Sequence, residues 1–287
     1  MCKFRKKKYL LKINFFLVCV LAFICSPILE ASGPVSPALK IIPSRVELLI
    51  EPRGREVQSI NISNYGTEEL TLTAHTSDWN IDETGKLVLL EQGDSERSAS
   101  AWLRFNPREF SIPSGKTQII RFSVSLPPEV EPGEYRMAVV LETKERYEVE
   151  ENIFYRPVYA LLVYINVPEV ERRGEVKELK IIEESKGNYL LEGEIASSGN
   201  AHLRVEGIFN LKDEEGLIVN SKMLGKRVVL PGKKEAFQIL IDEEISSGEY
   251  TAEIIWKYQP AFYMKGKLAE YPSGERELIK KIKFKLE

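Results

Sequence analysis

The feature of this 287-residue chain that most restricts its fold is a short pattern that occurs twice. The first copy runs Ile112-Pro113-Ser114-Gly115-Lys116, then a strand of alternating character, then Pro132-Gly133-Glu134-Tyr135. The second runs Leu230-Pro231-Gly232-Lys233-Lys234, another alternating strand, then Ser247-Gly248-Glu249-Tyr250. Pro and Gly punctuate a turn, and period-two alternation gives a strand one buried and one wet face. Such a strand must pack its apolar face on a second sheet. Two copies therefore predict two tandem all-β sandwich modules.

The Tyr that follows each Gly-Glu suits the corner near the start of the sixth strand of an immunoglobulin-like sandwich. The rest of the chain alternates in the same way. Val46, Leu48 and Ile50 oppose Glu47 and Glu51; Leu70, Leu72 and Ala74 oppose Thr71, Thr73 and His75. Ile120, Phe122, Val124 and Leu126 oppose Arg121, Ser123 and Ser125. Later, Leu203, Val205 and Phe209 oppose Arg204 and Glu206, and Phe237, Ile239 and Ile241 oppose Gln238 and Asp242. Alternation stops in Pro168-Glu169-Val170-Glu171-Arg172-Arg173-Gly174, so the modules are expected at 40–168 and 175–287. No amphipathic helix of useful length is expected.

The N-terminus places Lys3, Arg5, Lys6, Lys7, Lys8 and Lys12 before an apolar run ending at Leu29. This order reads as a secretory signal over 1–31, removed near Ala31. Tyr9 to Leu29 is also just long enough to anchor the chain if it stays uncleaved, the only membrane contact expected. Cys2, Cys19 and Cys25 all lie in this segment, so the exported chain would have no disulfide and no thiol chemistry. Without 1–31, 34 basic residues face 42 acidic ones. A mildly acidic surface without a basic stripe argues against nucleic acid as a partner. The location expected is periplasmic or secreted, and the exported chain is expected to be monomeric or weakly associated.

Catalytic chemistry finds little purchase. The two histidines, His75 and His202, fall one per module and read as strand residues that are solvated or hydrogen-bonded. Asp78, Asn80 and Asp82 imitate the start of a calcium loop, but Leu89 stands where the distal carboxylate belongs, so Asp82 to Gly85 reads as a hairpin tip. No phosphate loop or nucleophile elbow is present. The expectation is a non-enzymatic protein that needs no cofactor and no metal.

Several stretches are similar to the amino-terminal domain of periplasmic pilus-assembly chaperones of the PapD type. They are Ser44-Arg45-Val46-Glu47-Leu48, Ile60-Asn61-Ile62-Ser63-Asn64, Ser77-Asp78-Trp79, Ser98 through Pro107, and Phe110 through Gly115. The resemblance implies a protein that holds a subunit by lending it a strand. It also implies that a first-strand Arg and a last-strand Lys grip the subunit's terminal carboxylate. Arg45 stands for the Arg; the Lys has no counterpart between Ala160 and Val167.

The final strands of the two modules differ. Lys281, Lys283 and Lys285 give the second a charged face that discourages pairing with strangers. The first, Val158 to Ile165, is apolar on both faces. A sandwich buries only one face of a strand, so something must cover the other: the second module, the 142–153 loop or a partner strand. Arg45, Tyr159, Leu161, Val163 and Ile165 are therefore the expected partner-binding residues. The leading expectation is a chaperone-like exported protein that binds an extended segment of a pilin-like or surface subunit by strand addition. The alternative is a structural surface or envelope module without chaperone activity, making contact through Trp256, Tyr258, Phe262, Tyr263 and Met264.

Overall fold

A computed structural model describes residues 39–150, 152–185, 188–241, 246–258, 263–264, 267–268 and 276–286. The expected export signal over 1–31 and Phe262 of the late aromatic cluster lie outside these residues. Twelve strands form the first half: β1 (Leu39–Ile42), β2 (Arg45–Leu49), β3 (Arg55–Asn64), β4 (Leu70–Ile81), β5 (Leu87–Leu90), β6 (Leu103–Asn106), β7 (Glu109–Ile112), β8 (Thr117–Ser125), β9 (Gly133–Thr143), β10 (Tyr147–Glu150), β11 (Ile153–Tyr155) and β12 (Val158–Val167). The second half contains β13 (Gly174–Val176), β14 (Lys180–Ser185), β15 (Asn188–Ser197), β16 (Leu203–Lys212), β17 (Ile218–Val229), β18 (Lys234–Ile241), β19 (Gly248–Tyr258), β20 (Tyr263–Met264), β21 (Lys267–Leu268) and β22 (Arg276–Leu286). The fold is all-β, in two immunoglobulin-like sandwiches. Among the described residues no helix is long and apolar enough to cross a membrane.

In the first sandwich one sheet runs β1-β3-β8-β6 and the other β2-β12-β9-β4, with β4 pairing β7 along its first half and β5 along its second. The chain changes sheets between β1 and β2. In the second sandwich β15 sits between β18 on one edge and β13 and β14 on the other, facing a sheet of order β17-β16-β19-β22. The alternating apolar residues meet in two separate cores. Ile60, Ile62, Leu72, Ile120, Phe122 and Val124 belong to the first; Leu191, Ile195, Leu203, Phe209, Ile239 and Trp256 to the second.

The two copies of the repeated pattern are structural equivalents. Gly115 and Gly232 each take φ +70, a left-handed turn position that glycine occupies without strain. The following N–H closes the turn in both: Lys116 donates to the Pro113 carbonyl (3.1 Å) and Lys233 to that of Leu230 (3.0 Å). β8 and β18 follow, and the chain then crosses to the other sheet at Gly133 and Gly248. The Tyr135 hydroxyl donates to the Glu131 carbonyl (3.2 Å) and the Tyr250 hydroxyl to the Ser246 carbonyl (2.9 Å), each four residues upstream. Both rings are buried. Each bond pins the loop before its strand to the core.

The segment from Asp78 to Gly85 is a hairpin. The Asp82 carboxylate accepts the N–H groups of Thr84 and Lys86 and the Thr84 hydroxyl, which hold it below the usual carboxylate range. Asp78 is buried and accepts the N–H groups of Gly93 and Ser95 and the hydroxyls of Ser98 and Ser100, so its role is to fold the 93–100 loop. Trp256 and Tyr258 lie in the second core. Their side chains are not a contact surface, because β19 turns its even-numbered residues inward.

Tyr135→Phe and Tyr250→Phe each delete one buried hydroxyl and leave a carbonyl without its donor. Each is expected to cost about 1 kcal/mol in chemical denaturation. Unchanged midpoints in both variants would contradict the shared corner role.

Candidate functional site

β12 runs between β9, which pairs with all of it, and β2, which pairs in parallel only from Leu162 onward. Alternation sends Tyr159, Leu161, Val163 and Ile165 into the first core, where the last three are 0 % exposed. This corrects the expectation that Leu161, Val163 and Ile165 are partner contacts: the sandwich itself takes that face. Tyr159 packs under β1, its hydroxyl bonded to the Leu39 backbone. The opposite face carries Ala160, Leu162 and Tyr164, which pack with Trp79, Ala138, Val140 and, from the second sandwich, Val228 and Leu230. The second module is what covers the second apolar face.

The joint is ionic as well as apolar. Glu134, the Glu of the first repeat, is fully buried, and the His202 ring donates to it through Nδ1. Arg136 Nη1 stands 3.5 Å from the same carboxylate, and its guanidinium lies 5.6 Å from the centre of the Trp79 ring. Arg172 reaches Glu47 at 3.4 Å, and Arg45 Nε reaches Glu47 at 2.9 Å. Tyr164 contacts His202 ring to ring at 4.5 Å and Trp79 edge-on at 5.5 Å. Burial pushes the Tyr164 phenol up to about 12, against the pull of Arg204, which hydrogen-bonds to it. The connector is clamped by Asn200, whose side chain accepts the Glu171 N–H (2.6 Å) and donates to the Glu169 carbonyl (3.0 Å). The Asn200 carbonyl in turn accepts the Glu134 N–H (2.9 Å). Gly199 permits this approach, since a Cβ there would stand 2.1 Å from the Glu171 carbonyl oxygen.

Beside this cluster opens a cleft of about 560 Å³. The first sandwich contributes Arg45, Trp79, Leu87, Leu162 and Tyr164; the second contributes Arg204, Leu224, Lys226, Arg227 and Glu235. Four cations and one carboxylate line it together with aromatic and aliphatic side chains. Such a cleft favours an anion, with low-dielectric walls strengthening the field. Arg45, the first residue of β2, lines this cleft. Arg204, Lys226 and Arg227 supply positive charge that β12 lacks, and nothing in the sequence marks them out, because each sits among the polar positions of a distant module. Glu134 and His202 were equally hidden: Glu249 occupies the same repeat position as Glu134 yet is exposed.

The outer edge of β12 leads to this cleft. Among the described residues no strand pairs with its outer side from Val158 to Leu161, and β2 closes that side from Arg45 onward. Upstream, the β10–β11 hairpin presents Ile153, Phe154 and Tyr155, which with Val158 make an exposed apolar run. Of these, the sequence reading placed only Val158 in the candidate contact strand. Among the described residues no cluster of histidine, cysteine or carboxylate side chains has the makings of a metal site.

No protein-family model matches the chain, and no curated protein matches its sequence. In fold it is similar to solved PapD-like fimbrial chaperones. The class 5 fimbriae chaperone CfaA is 16 % identical, with 85 % of this chain and 98 % of that one covered and a TM-score of 0.44. The E. coli chaperone DraB is 11 % identical over 85 % and 96 % of the two chains (TM-score 0.43). The structure of Salmonella enterica SafA pilin in complex with the SafB chaperone matches at 9 % identity over 85 % and 95 % (TM-score 0.42).

The buried pair sets a pH dependence. Burial depresses the His202 imidazole below its ordinary 6.5 despite Glu134, so it stays neutral in the fold. Burial opposes the charge on Glu134, but His202, Arg136 and Arg172 outweigh it and hold the carboxyl below its usual range. Both folded values lie below their unfolded ones, so the unfolded chain takes up protons first and stability falls on acidification. Thermal melts are expected to decline between about pH 7 and about pH 5, from His202 first, and His202→Gln should flatten that decline. A profile unchanged by His202→Gln would contradict the assignment.

Proposed function

We propose that this chain is a non-enzymatic, exported, chaperone-like protein that holds an extended segment of a protein partner by strand addition at β12. The observation that carries this reading is the break in pairing along β12. Among the described residues β2 pairs with its outer side only from Leu162, and the first residue of β2 is Arg45 at the cationic cleft. A strand laid along Val158–Leu161, parallel to β12 and in line with β2, ends against Arg45. Its terminal carboxylate then meets Arg45 and Arg204, with Lys226 and Arg227 behind. Main-chain bonds give affinity along the edge, and the exposed side chains of Ile153, Phe154, Tyr155 and Val158 give apolar contact. A partner of pilin-like or surface-subunit type, presenting an apolar groove and a chain end, fits this chemistry. The periplasm or cell exterior is the place where such a subunit would need holding.

The test is binding of an extended peptide with alternating apolar residues, offered with a free or an amidated C-terminus. The free acid is expected to bind at least about tenfold better, as for loss of a charge-assisted hydrogen bond. Arg45→Ala and Arg204→Ala should erase that difference, each at a cost in stability of about 1–3 kcal/mol because Glu47 and Tyr164 lose a partner. Ile153→Lys should weaken both peptides alike. Equal binding of acid and amide, together with no effect of Ile153→Lys, would contradict the proposal.

A further inference from the structure

We propose that the outer face of the β17-β16-β19-β22 sheet is an association surface for a second copy of this chain, in an isologous two-fold pair. The register places Met223, Ile208, Ile255 and Ile279 directly beside one another across all four strands. None of the four belongs to the second core, and Met223 and Ile279 are 64 % and 51 % exposed. This is a continuous apolar row on the solvent side of a sheet, where alternation ordinarily puts polar groups.

The rows on either side identify the occupant. One is Lys226, Glu206, Lys257 and Glu277; the other is Ser221, Asn210, Glu253 and Lys281. If a second copy lies face to face with its two-fold axis along the apolar row, each flanking row covers the other. Lys257 then faces Glu253 of the second copy and Glu277 faces its Lys281, each twice by symmetry. Glu206 faces Asn210 and Lys226 faces Ser221, so no like charges meet within these three rows. The apolar row faces itself. Strands about 4.8 Å apart and three rows about 7 Å apart give a face of only a few hundred Å² per copy. Interfaces of that size are weak, so the pair is reversible and partly salt-sensitive.

Sedimentation velocity on the purified protein, up to about 100 µM, tests this. A concentration-dependent dimer is expected, weakened at least about tenfold by Ile279→Lys and by Met223→Lys, with both variants melting like the parent. Ile279→Cys should form a disulfide to its own equivalent, read by mass spectrometry of the linked peptide. A monomer throughout the range, or a dimer untouched by both lysine variants, would overturn the proposal. A mixed Met223→Cys and Ile279→Cys sample that cross-links 223 to 279 would overturn the stated axis.

Discussion

β12 puts alternate side chains into two different packed layers, and the arrangement of the joint follows from that. Leu161, Val163 and Ile165 complete the first core, while Leu162 and Tyr164 pack toward the second module. Burying such side chains is worth about 1.5–3 kcal/mol each, enough to hold two small modules together at one interface. The interface closes over charge, so it must also satisfy that charge. Glu134 receives His202 and Arg136, Glu47 receives Arg172 and Arg45, and Tyr164 receives Arg204. Buried ionic groups of this kind add little net stability but penalise any arrangement that leaves one unpaired, which is how they set a relative orientation.

The same strand links this stability to the proposed function. β12 is closed on one side by β9 along its whole length but on the other by β2 only beyond Arg45. The place where β2 begins is therefore both the start of the β2 pairing and the mouth of the cationic cleft. A partner strand and its terminal charge would be received at one junction. The tether between Arg45 and Glu47, and through Glu47 to Arg172 of the connector, couples that junction to the joint between modules.

Much of the fold was legible in the sequence, because period-two alternation and Pro/Gly turns are local signals. The repeated Pro-Gly-Lys turn, the alternating strand and the Gly-Glu-Tyr entry correspond to equivalent turns and corner tyrosines in both sandwiches. The two apolar faces of β12 were visible too, but which one faced a neighbour was not. Parity against β9 and β2 decides that, and pairing partners are not a local property. The partner-contact role expected for Leu161, Val163 and Ile165 fell on the core parity for this reason. Arg45 was found through its neighbours in the first strand. Arg204, Lys226 and Arg227 could not be, since they approach it only when the second module docks. Composition left Trp256 and Tyr258 open between a contact surface and the core, and strand alternation turns both rings inward.

The central claim is that a partner strand pairs with the outer edge of β12 over Val158–Leu161, upstream of the stretch that β2 covers. Amide hydrogen exchange read residue by residue tests it most directly. In the free protein, outward-pointing amides from Val158 to Leu161 are expected to exchange at least about tenfold faster than those from Leu162 to Asn166, and to become protected when an extended peptide with a free carboxylate is bound. Equal protection along the whole strand in the free protein, or protection on binding that appears elsewhere and leaves Val158–Leu161 unchanged, would contradict the account.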